Sequence, residues 1–226
     1  MEKNGIIYDK VHLSGSDDYW VVRKCKSCDP VIVVEACLDG LPVKHIMAYA
    51  FKNNTTVKDI SIPDTIELIG KFAFCGCRNL KRVVIAGTYE DTKEEYLTLR
   101  DSCFKDCRNL FSIIGDKIVE FDGSNVFYGC ENLMFFGYNN KIVGNLPPSV
   151  FHNCSKLESF HLIDRNCYFA TNCIHGCMNL KIIRIDCKNI TMAKQVLPLL
   201  AKKHIICKPN CNLIELAYSG TQITVD

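Results

Sequence analysis

Fifteen cysteines in 226 residues are the part of this sequence best equipped for chemistry. Cys25-Lys26-Ser27-Cys28 has the spacing with which two thiolates grip zinc, and His152 and His175 add two imidazoles. Thiols at this density would otherwise serve as a nucleophile, a redox pair or a disulfide framework. Each use demands partners. A strong zinc signature needs a second Cys-x-x-Cys at a set separation, and none exists; Cys207 and Cys211 sit at the opposite end of the chain. A thiol enzyme needs a base matched to one cysteine, and the sequence also lacks a Gly-rich phosphate loop, a Gly-x-Ser-x-Gly elbow and paired histidines on a helix. The expectation is therefore no metal, no cofactor and no catalytic residue, with a thiol- or metal-responsive protein as an alternative.

The elements that position the cysteines are repeats. Phe74-Cys75-Gly76-Cys77-Arg78-Asn79-Leu80 returns as Phe104…Cys107…Leu110, Phe127…Cys130…Leu133 and Phe151…Cys154…Leu157. Degenerate copies flank these: Phe51…Asn54…Val57, and Ile174…Cys177…Leu180. The starts at 51, 74, 104, 127, 151 and 174 give steps of 23, 30, 23, 24 and 23. A fixed period of this size marks a solenoid, in which each unit buries its apolar face only against its neighbours. Five cysteines hold one repeat position, and Cys103 and Cys173 sit where another copy has Ala73. They are read as small buried thiols of a reducing compartment rather than as a disulfide framework.

After each turn the sequence reads Leu-x-x-apolar-x-apolar, as in Leu80…Val83-Val84-Ile85 and Leu180…Ile183-Arg184-Ile185, the alternation of a strand with one buried face. Six such strands are expected side by side in one parallel sheet. Residues 1–40 lack the period and read as a β-rich N-terminal cap, including Val31-Ile32-Val33-Val34; 41–187 form the array. Residues 188–226 read as a C-terminal cap, with a helix from Thr191 disturbed by Pro198, then strands at Ile205–Cys207 and Leu213–Leu216. The long step falls in the acidic stretch 87–96, read as a projecting loop or short helix.

Written out as Ile62-Pro63…Ile69-Gly70-Lys71-Phe72-Ala73-Phe74…Cys77…Leu80, the unit resembles the BspA-like leucine-rich repeat family, as does the lead-in Asp39-Gly40-Leu41-Pro42. The resemblance covers roughly residues 31–187, although Ile-Pro recurs only at 62–63 and Ile-Gly only at 69–70. It implies a curved solenoid, a leucine-rich-repeat fold of mostly strand and loop, used for protein recognition or adhesion rather than catalysis.

If alternate residues point inward, the others line the exposed, concave face. One row is Ser61, Val84, Ile114, Gly137, His161 and Arg184; a second is Asp59, Arg82, Ser112, Phe135, Ser159 and Ile182. Aromatic, aliphatic and Arg side chains together suit a protein interface. Arg82, Val84, Ile114, Phe135, His161, Ile182 and Arg184 are the expected partner-binding residues, and another protein is the expected partner.

The net charge of +2 does not argue for nucleic acid. A basic end runs from Arg165 through Lys181, Arg184, Lys188, Lys194, Lys202 and Lys203 to Lys208. With 48% hydrophobic and 23% charged residues the composition is that of an ordinary folded protein. No run of about 18 apolar residues occurs, so no membrane insertion is expected. Met1–Ile6 lacks the apolar core of a signal peptide, which predicts a cytoplasmic protein; a secreted or cell-surface adhesin is the alternative if a leader precedes Met1.

Overall fold

The computed structural model describes residues 1–12, 14–15, 17–86, 96–136, 141–164, 166–201, 203–207, 211 and 222–225. The repeated turn accounts for its architecture. Each Phe ring is buried and stacks on the next: Phe51 on Phe74 at 4.7 Å, Phe74 on Phe104 at 5.1 Å, Phe104 on Phe127 at 5.5 Å and Phe127 on Phe151 at 5.8 Å between centroids. Fully burying one such ring contributes roughly 1.5–3 kcal/mol. The Phe carbonyl has two lone pairs, and both are used. The Cys three residues on donates its N–H to Phe74 O at 3.0 Å within the turn, and the thiol of the next unit's Cys107 donates to the same oxygen at 3.0 Å. Cys77, Cys130, Cys154 and Cys177 donate likewise to the carbonyls of Phe51, Phe104, Phe127 and Phe151 at 3.0–3.1 Å. A small side chain carrying one weak donor is what this position requires. The first unit has no preceding Phe carbonyl, and there Asn54 replaces Cys. Its amide donates to Ser27 O at 3.4 Å, while its Oδ1 accepts the N–H groups of Thr56 and Val57.

Two backbone positions per turn are left-handed. Two residues after Phe the column alternates Asn53, Gly76, Asp106, Gly129, Asn153, Gly176. The alternation has a steric cause: a Cβ on Gly129 would stand 2.7 Å from Asp106 Oδ1, and those on Gly76 and Gly176 would meet the Oδ1 atoms of Asn53 and Asn153. Two residues before Phe the column is Tyr49, Phe72, Ser102, Asn125, Ser149 and Asn172, with φ between 55° and 64°. Asn tolerates this conformation; for bulky side chains it costs on the order of 1–2 kcal/mol.

Between turns the chain makes strands in two layers. A five-stranded parallel sheet joins, in neighbour order, Val31–Val33, Asp59–Pro63, Arg82–Ala86, Ser112–Ile114 and Phe135–Phe136. A long sheet starts with the antiparallel strands Glu2–Lys3, Ile6–Val11 and Tyr19–Cys25. It continues in parallel through Leu41–Ile46, Leu68–Ile69, Tyr96–Arg100, Ile118–Asp122 and Lys141–Val143. It ends with Ser159–Ile163, Ile182–Ile185, His204–Cys207 and Gln222–Val225. A two-stranded sheet pairs Asn166–Phe169 with Asn189–Met192. The chain is thus a β-solenoid, nearly all strand.

Several sequence expectations change. The six strands do not form one sheet, because Ser159–Ile163 pairs with Lys141–Val143 instead of Phe135–Phe136. The apolar run Lys141-Ile142-Val143 takes the pairing instead. The helix expected from Thr191 shrinks to Leu197–Leu200, with Pro198 in its first turn where its missing N–H is harmless. Thr191 and Met192 instead extend the Asn189–Met192 strand. Cys167 and Cys187 form a disulfide rather than two thiols; the other thirteen cysteines stand as thiols. Tyr96 begins a strand, while 87–95 and Leu213–Leu216 lie outside the described residues.

Three histidines are packed in the neutral direction. Burial lowers the pKa of His45 below 6.5 despite nearby Glu67, with Lys44 and Arg100 adding to the fall. Burial lowers that of His161 despite Asp186, with Arg184 and Lys141 adding to the fall, and burial and then His175 lower that of His152. A folded-state pKa below the unfolded value gives stability that is present above pH 6.5 and lost as pH falls through it. Urea unfolding should show stability decreasing from about pH 7.5 to about 5.5; an increase would contradict the packing. Cys130→Ala should cost about 1–3 kcal/mol, by removing a donor and opening a cavity at the ladder. The same change at exposed Cys28 should stay within about 0.5 kcal/mol.

Candidate binding face

The five-stranded sheet sets two outward rows by its register. Val31, Asp59, Arg82, Ser112 and Phe135 lie side by side in one, and Val33, Ser61, Val84 and Ile114 in the other. Strands about 4.8 Å apart make this face about 20 Å wide. Phe135 is 55% exposed, Ile114 49%, and Val31 and Val33 60% each, so the open surface is mainly apolar. Arg82 is already engaged: its Nε donates to Asp59 Oδ1 at 2.5 Å, which raises its pKa further. Ser112 is buried, so its row is not open throughout.

The remaining expected residues stand on the long sheet. His161 is in register with Arg184, and Ser159 with Ile182, which is exposed. On its other side His161 faces Lys141; Gly137, expected there, lies outside the described residues. His161 Nε2 lies 3.0 Å from Asp186 Oδ2, and Arg184 Nε lies 3.7 Å from Asp186 Oδ1. The structure therefore gathers Arg82, Val84, Ile114 and Phe135 on one sheet, and His161, Ile182 and Arg184 on another, with Asp186 neutralising the second group.

Sequence reasoning missed Asp186, Val31 and Val33. Asp186 stands two residues beyond Arg184 and, by strand alternation, on the same side. That signal was available. Val31-Ile32-Val33-Val34 also reads as alternating, but nothing local shows that it opens the recognition sheet rather than a cap.

Metal chemistry finds no assembled site: among the described residues no three His, Cys, Asp or Glu side chains converge. His152 stacks on His175 at 4.8 Å, continuing from Tyr128 at 4.7 Å, so the ring nitrogens lie side by side rather than converging. Burial disfavours the thiolate at four of the five ladder cysteines, Cys107, Cys130, Cys154 and Cys177. Burial pushes Cys173 and Cys177 up to about 12, and Cys103, Cys107, Cys130 and Cys154 well above the ordinary thiol range. Of the basic end, Arg165, Lys202 and Lys208 lie outside the described residues. No helix among the described residues is long and apolar enough to cross a membrane.

Residues 91–197 match the model of the BspA type leucine rich repeat region, in 6 copies. Among solved structures the chain is similar to a leucine rich repeat protein of T. pallidum, with 22% identity and a TM-score of 0.64, over 85% of each chain. It is similar to a leucine rich cell surface protein from Faecalibacterium prausnitzii, with 16% identity and a TM-score of 0.52, over 93% of this chain and 54% of that one. A leucine-rich repeat protein from Bacteroides ovatus shows 20% identity and a TM-score of 0.50, over 99% of this chain and 66% of that one. The chain thus spans about half the length of the F. prausnitzii protein and two thirds of the B. ovatus one. At these identities the likeness concerns the fold. No curated protein matches the chain in sequence. The turn geometry, the period and the family match agree: residues 91–197 carry the BspA type leucine rich repeat, and the fold is a leucine-rich-repeat solenoid.

Proposed function

We propose that this protein is a non-enzymatic recognition module that binds another protein on the open face of the five-stranded sheet. The observation that carries this reading is the coincidence of Val31, Val33, Ile114 and Phe135, each about half exposed or more, in two adjacent rows of one rigid sheet. Val31 with Val33 at one end of the sheet, and Ile114 with Phe135 at the other, lose water on docking and act as anchors, whereas Arg82, paired with Asp59, stands between them. His161, Ile182 and Arg184 stand on the long sheet and are not part of this face. The burial of the repeat thiols supports a role without catalysis.

The compartment we propose is the cytoplasm, since thirteen of fifteen cysteines stand as thiols. The Cys167–Cys187 bond favours the second reading, a surface or secreted adhesin. Thiol titration of the protein taken from its native source in denaturant separates the two: most cysteines free supports the first, and most paired supports the second.

The binding face is tested by affinity capture from native extract with the natural chain and with Phe135→Ser/Ile114→Ser. The double variant should keep its melting temperature and lose the captured protein at least tenfold, because truncating an anchor costs about 1–2 kcal/mol or more. Full retention would place the interface elsewhere.

A further inference from the structure

The left-handed column two residues before each repeat Phe holds Ser or Asn in its last four units, residues that accept or are small enough for that conformation. Its first two units hold Tyr49 (φ 64°) and Phe72 (φ 56°), aromatic side chains in the conformation they resist most. Backbone strain of this kind persists where a side chain is wanted for function. The two rings stack on each other at 5.5 Å with planes 14° apart, and Tyr49 remains 51% exposed. Lys52 Nζ lies 5.1 Å from the centre of Tyr49 and 5.5 Å from that of Phe72, and Lys71 Nζ lies 5.5 Å from Phe72.

Tyr49 also lines an open surface depression of about 280 Å³ between the end of the Tyr19–Cys25 strand and the first turn. Lys24, Lys26 and Lys52 stand in its wall with Asn53, Thr55 and Thr56, and no carboxylate is among the lining residues. Carboxylates stand around it: exposed Glu2 pairs with Lys26 at 2.9 Å, partly buried Asp101 pairs with Lys71 at 3.7 Å, and Asp29 accepts a hydrogen bond from Ser27 Oγ at 2.8 Å. Such surface pairs exchange readily for another anion.

An aromatic platform calls for a ligand with a flat apolar face, and three lysines call for negative charge. Amide and hydroxyl groups beside them suit a polyhydroxylated ring. An inorganic anion would leave the ring unused, and a neutral sugar would leave the lysines unused. We propose that this corner of the solenoid binds an acidic saccharide, its ring laid on Tyr49 and its carboxylate or sulfate held among Lys24, Lys26 and Lys52. This surface is separate from the sheet face, so Phe135→Ser/Ile114→Ser leaves the saccharide binding intact.

Titration calorimetry of the full chain tests this with four probes: a heparin tetrasaccharide, a polygalacturonate tetrasaccharide, neutral maltotetraose and inorganic sulfate. At least one acidic tetrasaccharide should bind ten times more tightly than maltotetraose or sulfate, and the two acidic probes distinguish sulfate from carboxylate recognition. Lys52→Glu should weaken that binding at least tenfold. Tyr49→Asn, which installs the residue found at positions 125 and 172, should abolish it while the melting temperature stays level or rises. The proposal is overturned if no acidic probe is preferred, if Tyr49→Asn or Lys52→Glu binds as the natural chain does, or if Tyr49→Asn melts lower or fails to fold. That last result would mean that the rings are kept for packing.

Discussion

The structure depends on one shared acceptor. In every unit that has a predecessor, the preceding Phe carbonyl receives an amide proton from its own turn and a thiol proton from the unit stacked on it. The arrangement uses both lone pairs of each of these five carbonyls, and a buried carbonyl left without any donor would cost as much as a lost hydrogen bond. It also fixes the spacing of units, because a thiol can reach that oxygen only if successive turns stand about one strand apart. The Phe rings fill the layer behind the carbonyls. Ring stack and thiol ladder are therefore one device, and five of the fifteen cysteines follow from it.

Committing the thiols inward decides what the surface can do. The sheet side presents alternate strand residues whose identity the ladder does not constrain, so apolar side chains accumulate on the five-stranded sheet without disturbing the core. On the turn side, left-handed positions limit the choice of residue, and alternation of Asn or Asp with Gly relieves crowding between neighbouring units. Tyr49 and Phe72 stand out against that economy. A second kind of constraint appears at Gly70, where a Cβ would approach the Ala48 backbone nitrogen to 2.7 Å. The Ile69-Gly70 pair thus reflects close passage of one unit over another.

Much of this was legible in the sequence because the ladder needs Phe, Cys and Leu at fixed offsets, and that motif is intact in four copies and recognisable in two more. The strand alternation following Leu80 and Leu180 likewise announced which residues would point outward. What the sequence concealed is pairing between distant segments. Nothing near Ser159 says that the Lys141–Val143 strand, rather than Phe135–Phe136, will be its strand's neighbour. Helical spacing of Met192, Val196, Leu199 and Leu200 was real, yet a parallel partner at Asn166–Phe169 drew Thr191 and Met192 into a strand. The Cys167–Cys187 pair joins residues outside the repeated Cys position, so the period was silent about it. The charge on the long sheet was half visible: Arg184 and Asp186 share a side, whereas the approach of His161 to Asp186 required the register.

The central claim is that the repeat thiols are structural donors sealed inside one cooperative stack. Its most direct test is alkylation with iodoacetamide across a urea series, followed by mass spectrometry of each cysteine. The account predicts that exposed Cys28 and Cys37 react in native buffer. Cys77, Cys107, Cys130, Cys154 and Cys177 should stay unmodified and then react together at the global unfolding midpoint. Ladder cysteines that react in native buffer as fast as Cys28, or one by one at widely separated urea concentrations, would contradict it.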